Sequence, residues 1–354
     1  MVNIFENDIK ISAKRHENFI LASQDKNYIH TKIHYARKFG FNSKVVHGIN
    51  LVLQSMEYLL SKKIISLNNI YSIKAIFFLA VLENEDMLIY TLKKKDNIKI
   101  DIYINNKKTT SIDLVFKKNF KPNKSKKYIF ETIIQNKPKK QNFDMITKSI
   151  SIPIFNNKKN LNDLFPNLFN LFGYHRLNGI ILISTSVGMY WPGHFSLLTG
   201  CKINFKQKIS NKFLINKILV DRRFMLTNFN FNGLGIEGKV DALFKGENIK
   251  QSNIVKIRKK VKKSQFKSQN SIIIGGSRGL GEIVSKLIIS GGGKVCATYA
   301  HNKSLARSNF TKLNNQEKKN LKLSKFVINN NTITSEINFS NTKFNVLYYF
   351  ATPV

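Results

Sequence analysis

Residues 19–48 read FILASQDKNYIHTKIHYARKFGFNSKVVHG. The stretch sets an acid, an amide and an imidazole, Asp25, Asn27 and His30, in one short polar loop with the pattern D-x-N-x-I-H. After five intervening residues the small Ala36 falls in a short helical patch, Tyr35-Ala36-Arg37-Lys38. The stretch closes on Val45-Val46-His47-Gly48, and a mostly apolar helix is predicted from Ile49 to Leu60. Taken alone the loop has two readings. In one, Asp25 and Asn27 form a turn and His30 caps a neighbouring element. In the other, an Asp/His pair moves protons, and a glycine at a helix N-terminus presents an unpaired N–H at the positive end of the helix dipole, where an oxyanion would sit.

The D-x-N-x-I-H pattern, the following Ala36 and the downstream His47-Gly48 opening a long helix resemble the MaoC-like, (R)-specific enoyl-thioester hydratase family of hot-dog proteins. The resemblance covers residues 1–118 and favours the second reading of the loop. It implies that Asp25 and His30 share a water, that Asn27 orients it, and that the Gly48 N–H polarises the thioester carbonyl. The implied substrate is a trans-2-enoyl group on coenzyme A or acyl carrier protein, and the product an (R)-3-hydroxyacyl thioester. Hydration of this kind needs no cofactor. Where the family usually has small or proline residues in this loop, the chain has Gln24 and Tyr28, which implies a reshaped loop.

At 354 residues the chain is long enough for two or three domains, and 42% apolar content supplies real cores. The formal charge of +37 would suit nucleic acid or an anionic membrane surface. That charge is mostly lysine spread along the whole chain, and Asn and Ile are abundant throughout, as an A/T-rich coding sequence would produce. The pattern argues against nucleic-acid binding and still steers acidic ligands such as coenzyme A or a carrier protein. Cys201 and Cys296 lie far apart without metal-ligand spacing, so no metal is expected and a reduced compartment is. The opening MVNIFENDIK carries acids and no apolar run, and no stretch is long and apolar enough to span a bilayer. The expectation is a soluble, cytoplasmic protein.

Beyond the first helix, Ile70–Val81 reads as a buried strand and Asp86–Lys93 as its successor. Ile98, Ile100, Ile102 and Ile104 alternate with polar residues, and the turn Asn105-Asn106-Lys107 leads to Ile112, Leu114 and Phe116. A helix followed by antiparallel meanders fits a sheet wrapped around a helix over residues 1–118. Residues 119–148, rich in Lys, Asn and Pro with one β-like patch at Tyr128–Ile134, read as a connector. Residues 149–246 resemble a second, non-catalytic copy. They hold a helical run from Leu161 through Gly179–Gly188, a strand ending at Phe205, and a predicted hairpin turn at Asn232-Gly233. Ile236, Val240, Ala242 and Phe244 line one face of the last strand. His175 and His194 have no acidic neighbour at useful spacing and are read as packing residues. Trp191-Pro192-Gly193 is read as a turn with a packed indole, with an acyl-tunnel lining as the alternative.

Residues 247–269, including the basic run Lys256–Lys263, read as a solvated linker. From Ser271 a strand, Ile272–Ile274, feeds Gly275-Gly276-Ser277-Arg278-Gly279-Leu280-Gly281, a helix to Ser290 and a second strand, Lys294–Tyr299. A glycine pattern between strand and helix points to dinucleotide binding. The spacing of Gly275, Gly279 and Gly281 resembles the short-chain dehydrogenase/reductase family. Its implied cofactor-binding residues are Gly275, Ser277, Arg278, Gly279, Leu280, Gly281 and Lys303. After the second strand no acid occurs before Glu317, so Arg278 and Lys303 favour a 2′-phosphate and hence NADP(H). Asn345–Phe350 looks like the fourth strand of that family, with Ala351-Thr352-Pro353 as the turn after it and Val354 the last residue. The family's later Tyr-x-x-x-Lys pair has no counterpart here, since Thr352 and Pro353 follow Tyr348 and Tyr349 at that spacing. The expected strand order is 3-2-1-4 with a bare edge at the fourth strand, in residues 270–354.

The expected fold is therefore an α+β double hot-dog followed by a truncated α/β Rossmann domain with a vestigial NADP(H) site. The expected activity is a hydro-lyase, with a homodimer or a complementing reductase polypeptide as partner. The alternatives are a thioester-binding scaffold without turnover, and an oxidoreductase that needs a second chain.

Overall fold

The computed structural model describes residues 3–118, 136–139, 149–194, 196–244, 251–300, 303–329, 332–337 and 343–350. The patch at Tyr128–Ile134 and the turn at Ala351–Pro353 lie outside the described residues. The chain divides into two compact units, Met1–Gly246 and Glu247–Val354.

In the first unit, strand β1 (Asn3–Lys10) leads to helix α1 (Ala13–Ser23), the short helices α2 (Tyr28–Thr31) and α3 (Ile33–Ala36), and the long α4 (Gly48–Ser61). Strands β2 (Ile70–Phe77), β3 (Asp86–Lys93), β4 (Asn97–Ile104) and β5 (Lys107–Phe116) follow. The plan then repeats with β6 (Ser149–Ser151), α5 (Lys158–Leu164), α6 (Pro166–Thr185), a π-helical turn at Ser186–Tyr190, β7 (Ser196–Phe205), β8 (Phe213–Asp221), β9 (Leu226–Gly233) and β10 (Ile236–Phe244). All ten strands form one antiparallel sheet in the order β1-β3-β4-β5-β2-β7-β10-β9-β8-β6. Read inward from each end, the two halves have the same order. They meet where Ser72–Ile76 of β2 pair with Asn204–Gly200 of β7. Each half is a sheet wrapped on a central helix, the hot-dog arrangement.

The local chemistry explains these elements. Ile98, Ile100 and Ile102 of β4 point to one buried face while their neighbours stay partly exposed. Asn105 (φ 47°) and Asn106 (φ 61°) both take left-handed backbone, as a two-residue hairpin turn matched to strand twist requires. The second-half hairpin differs from the sequence expectation. Asn232 and Gly233 remain paired in β9, and the turn is Leu234-Gly235, with φ 50° and 79°. The strand expected to run to Val81 stops at Phe77. Phe78 and Leu79 are 54% and 48% exposed, and both N–H groups donate to the Thr109 carbonyl.

Helix α4 buries Ile49, Leu51, Val52, Leu53, Met56 and Leu59, more than one stripe, because it lies between the sheet and α6. Glu57 of α4 is 4% exposed. Its carboxylate accepts from the Asn167 and Leu168 N–H groups, both at 3.0 Å, and from Asn167 Nδ2 at 2.7 Å. Helix α6 has no side-chain cap of its own, so Glu57 satisfies its first N–H groups from the other half and complements its dipole. Glu57→Ala leaves the buried Leu168 N–H unpaired and removes the partner of both Asn167 donors at the exposed start of α6. The expected loss is about 2–3 kcal/mol, seen as a lower urea midpoint at unchanged slope.

The second unit runs α7 (Ile254–Arg258), β11 (Asn270–Ile274), α8 (Gly279–Ser290), β12 (Lys294–Tyr299), α9 (Lys303–Asn309), α10 (Asn315–Asn320), β13 (Leu321–Asn329), β14 (Thr332–Ser335) and β15 (Val346–Tyr349). Strands β13, β12, β11 and β15 lie side by side and parallel, and β14 adds to β13 antiparallel. On the outer strand β15, Leu347 and Tyr349 are 65% and 61% exposed. The basic segment before β11 is not a solvated tether. Ile254 and Ile257 are buried, and Arg258 forms a two-pronged pair with Glu317 at 2.7 and 2.5 Å. Apolar burial and this ion pair hold the segment to the unit, whatever its lysine content suggests.

Candidate active site

Helix α1 ends at Gln24, whose φ of 52° puts a left-handed turn where glycine is favoured. That turn delivers Asp25 to the end of α6. The Asp25 carboxyl is 1% exposed: Oδ2 accepts from the Ser184 hydroxyl at 2.8 Å and Oδ1 from the Asn27 N–H at 3.1 Å. Gly188, in the π-helical turn, lies so close that a Cβ there would stand 2.0 Å from Asp25 Oδ1.

Asn27 is held by the protein itself. Its Oδ1 caps α2 by accepting from the Ile29 N–H at 3.4 Å, and its Nδ2 donates to the Gly193 carbonyl and the Ser196 hydroxyl at 3.2 and 3.0 Å. With both amide hydrogens bound to the second half, Asn27 anchors the loop. His30, 8% exposed, donates from Nδ1 to the Val45 carbonyl at 2.6 Å. Its Nε2 is thereby left as the acceptor nitrogen. Gly48 opens α4, so its N–H is one of those a helix leaves without an internal partner. A Cβ there would meet the Phe77 ring at 2.8 Å, so the position admits no side chain without moving that ring.

Two further histidines complete the cluster. His47, the residue before α4, stacks on His30 with ring centroids 3.6 Å apart. Its Nε2 lies 3.2 Å from the Asp25 carbonyl and 3.6 Å from Asp25 Oδ2. Its Nδ1 lies 3.0 Å from Nε2 of His16 on α1. The donor atoms of His16, His30 and His47 all fall within 4.8 Å of one another. Of those nitrogens, His30 Nδ1 is engaged by the Val45 carbonyl, and His16 Nε2 and His47 Nδ1 by each other.

Burial sets the charge states. It pushes the Asp25 carboxyl up to about 7, against the lowering effect of its Ser184 bond. It pushes His30 down to about 3 and His16 to about 4, and drives His47 well below the usual imidazole range; Lys44 reinforces the effect on His16, and the mutual proximity of the imidazoles reinforces it on His30 and His47. The site thus pairs neutral imidazoles with a carboxyl poised near neutrality. Between about pH 4 and 6.5 these histidines are protonated in the unfolded chain but not in the fold, so unfolding takes up as many as three protons. Asp25 works in reverse and releases one. The balance is uptake, so stability is expected to fall as pH falls through this window, by on the order of 2 kcal/mol per pH unit from these groups. Urea melts at pH 5 and 6.5 check it, and a flat or opposite slope would refute it.

Sequence reading missed His16, His47, Ser184 and Gly188 as parts of this cluster. His47 stood in the quoted stretch, and the small polar run Ser184-Thr185-Ser186-Val187-Gly188 closing an apolar helix was the available signal for the others. Of the two histidines read as packing residues, His175 is 1% exposed and lies edge-on to Tyr174 at 6.1 Å. His194 lies edge-on to Tyr28 at 5.4 Å, and the buried Trp191 indole donates to Thr227 Oγ1 at 2.9 Å.

In the second unit, Gly275 (φ 77°) donates its N–H to Thr298 Oγ1 at 2.9 Å, and Gly279 (φ 60°) would place a Cβ in open space. A Cβ on Gly281 would meet the Gly275 carbonyl oxygen at 2.3 Å, so this glycine allows the loop to close on α8. The Ser277 carbonyl accepts from Asn309 Nδ2 at 3.0 Å. Arg278 and Leu280 are exposed beside it, and Lys303 is exposed at the start of α9.

Residues 2–114 match the family model described as "MaoC like domain". No curated protein matches the sequence. Among solved structures, a MaoC-like dehydratase is similar at 9% identity over 69% of this chain and 98% of its own, with a TM-score of 0.47. A conserved hypothetical protein of Mycobacterium tuberculosis, described as having a double hotdog fold, is 6% identical over 68% and 95%, with a TM-score of 0.48. The (R)-hydratase from A. caviae involved in PHA biosynthesis is 18% identical over 32% and 92%, with a TM-score of 0.28. No helix of the described residues is long and apolar enough to cross a membrane. Residues 2–114 are thus similar to the MaoC-like domain family.

Proposed function

We propose that the first unit is a hydro-lyase that reversibly adds water to a trans-2-enoyl thioester of coenzyme A or acyl carrier protein, giving the (R)-3-hydroxyacyl thioester. The observation that carries this reading is the pairing of a buried Asp25 carboxyl poised near neutrality with a neutral His30 whose Nε2 is an acceptor. His30 Nε2 takes a proton from the attacking water, and Asp25 exchanges a proton with the substrate α-carbon. The Gly48 N–H, at the positive end of α4, receives the charge that develops on the thioester oxygen. The test is loss of the enoyl-thioester absorbance of crotonyl-CoA, compared between wild type and His30→Gln. Loss in wild type and not in the variant supports the reading; no loss in folded wild type with either carrier overturns it.

A second reading, a thioester-binding protein without turnover, is favoured by the near-complete burial of Asp25 with both oxygens engaged. It predicts crotonyl-CoA binding with no change in absorbance.

For the second unit the reading is NADP(H) binding at Gly275, Ser277, Arg278, Gly279, Leu280 and Gly281, with Lys303 near the 2′-phosphate. Support comes from the open space at Gly279 and from the two exposed cations. When bound, such a nucleotide supplies hydride chemistry; these residues would hold its phosphates. Titration with NADPH, followed by its fluorescence, tests the assignment.

A further inference from the structure

The proposed chemistry leaves His16 and His47 unused, although they are 0% and 1% exposed, with His47 beside Asp25 and His16 beside His47. Their ring nitrogens form a row with fixed neighbours. His47 Nε2 faces the Asp25 carbonyl at 3.2 Å and Asp25 Oδ2 at 3.6 Å. His47 Nδ1 faces His16 Nε2 at 3.0 Å, and His16 Nδ1 faces Glu83 Oε2 at 3.5 Å. Lys44 Nζ lies 3.5 Å from that same Glu83 oxygen. Side-chain exposure stays at or below 2% from Asp25 through His47 and His16, then rises to 11% at Glu83 and 27% at Lys44. A buried carboxyl is thereby joined to a partly solvated ion pair.

Counting hydrogens shows what the row can do. A neutral imidazole carries one N–H. The Asp25 carbonyl can only accept, so His47 holds its hydrogen on Nε2 and accepts on Nδ1 from the His16 Nε2–H. His16 Nδ1 is then a lone pair facing a carboxylate oxygen, and two acceptors oppose each other. The row has room for one more proton, at its solvent end. His30 stacks on His47 but keeps its own Nδ1–H on Val45, so it stands beside the row and not within it.

We propose that His47 and His16 form a proton relay connecting Asp25 to solvent at Glu83 and Lys44. The proposal rests on the reading of Asp25 as a proton-exchanging group. A proton from bulk water, guided by Glu83, binds His16 Nδ1. The His16 Nε2–H bond breaks as its proton passes to His47 Nδ1, and the His47 Nε2–H bond breaks as its proton passes to Asp25 Oδ2. Each ring gains one proton and loses one, and the Asp25 carboxylate becomes the acid. The reverse sequence discharges it. The last hop requires a shift of roughly half an ångström to bring 3.6 Å into hydrogen-bond range. His16 and His47 are positioning residues in this scheme, since they act through Asp25.

Proton exchange between the His47 imidazole and water, followed by NMR on 15N-histidine-labelled full-length protein, tests the relay without any turnover. His16→Gln and Glu83→Gln are each expected to slow that exchange at least tenfold. A purely structural role predicts the opposite sign, because a loosened core exchanges faster. Unchanged or faster exchange in a folded variant overturns the relay. Should His16→Gln fail to fold, the Glu83→Gln result decides, because that side chain is partly solvated. Failure of the hydratase reading would appear separately, as wild-type protein that leaves crotonyl-CoA unchanged.

Discussion

Asp25→Asn is expected to lower kcat/KM for enoyl-thioester hydration by about 10²- to 10⁴-fold, the usual range for a positioned acid–base group. The amide is close to isosteric and cannot exchange the proton. It also preserves the local bonds: its oxygen can accept the Asn27 N–H, and its NH₂ can donate to the Ser184 hydroxyl oxygen, the two groups Asp25 engages now. A neutral side chain at a site that already favours the neutral carboxyl should leave thermal stability near wild type at pH 7. Unchanged melting with lost turnover is the expected pair of results. Full turnover from the folded variant would remove Asp25 from the chemistry. His30→Gln should fall in the same range, since the imidazole's free nitrogen disappears.

Gly188→Ala is expected to be nearly as damaging from the opposite side of the sheet's seam. Its new methyl would stand 2.0 Å from Asp25 Oδ1 and 2.5 Å from Cγ. The Asp25 side chain is short and held at both oxygens, so relief requires breaking the Ser184 or Asn27 bond, or displacing the π-helical turn. Overpacking of this kind costs about 1–3 kcal/mol, and misplacing the carboxyl by an ångström is worth roughly 10²-fold in rate. Loss of activity together with a lower urea midpoint is expected. An alanine variant as active and as stable as wild type would mean that Asp25 is not held by this turn.

The D-x-N-x-I-H loop and the apolar helix after it were legible because both are local: a pattern of residues over thirty positions encodes a turn, a cap and an amphipathic period. The alternation of Ile98, Ile100 and Ile102 was legible for the same reason. What could not be read was the partner of each group across the fold. Asp25 and Ser184 are 159 positions apart, and Asn27 and Ser196 are 169 apart, so no spacing rule links them. The partners that the Asn27 amide finds in the other half were therefore not legible. The basic segment before β11 misled for a related reason: its lysines are conspicuous, whereas Ile254, Ile257 and Arg258 find their partners only in the folded unit. At Leu234-Gly235 a turn formed two residues beyond the Asn-Gly signal, because pairing with β10 extended β9 through Gly233.

The join between β2 and β7 bears on how the protein can change over time. Two separate, identical chains meeting at such a seam would each have to carry the chemistry and the support in the same residues. Within one polypeptide the copies are free to diverge. Here one supplies the Asp25–His30 loop and the other supplies Ser184 and Gly188 beneath it. That division of labour leaves neither half able to stand in for the other. Expressed apart, neither piece should recover what the fused pair does.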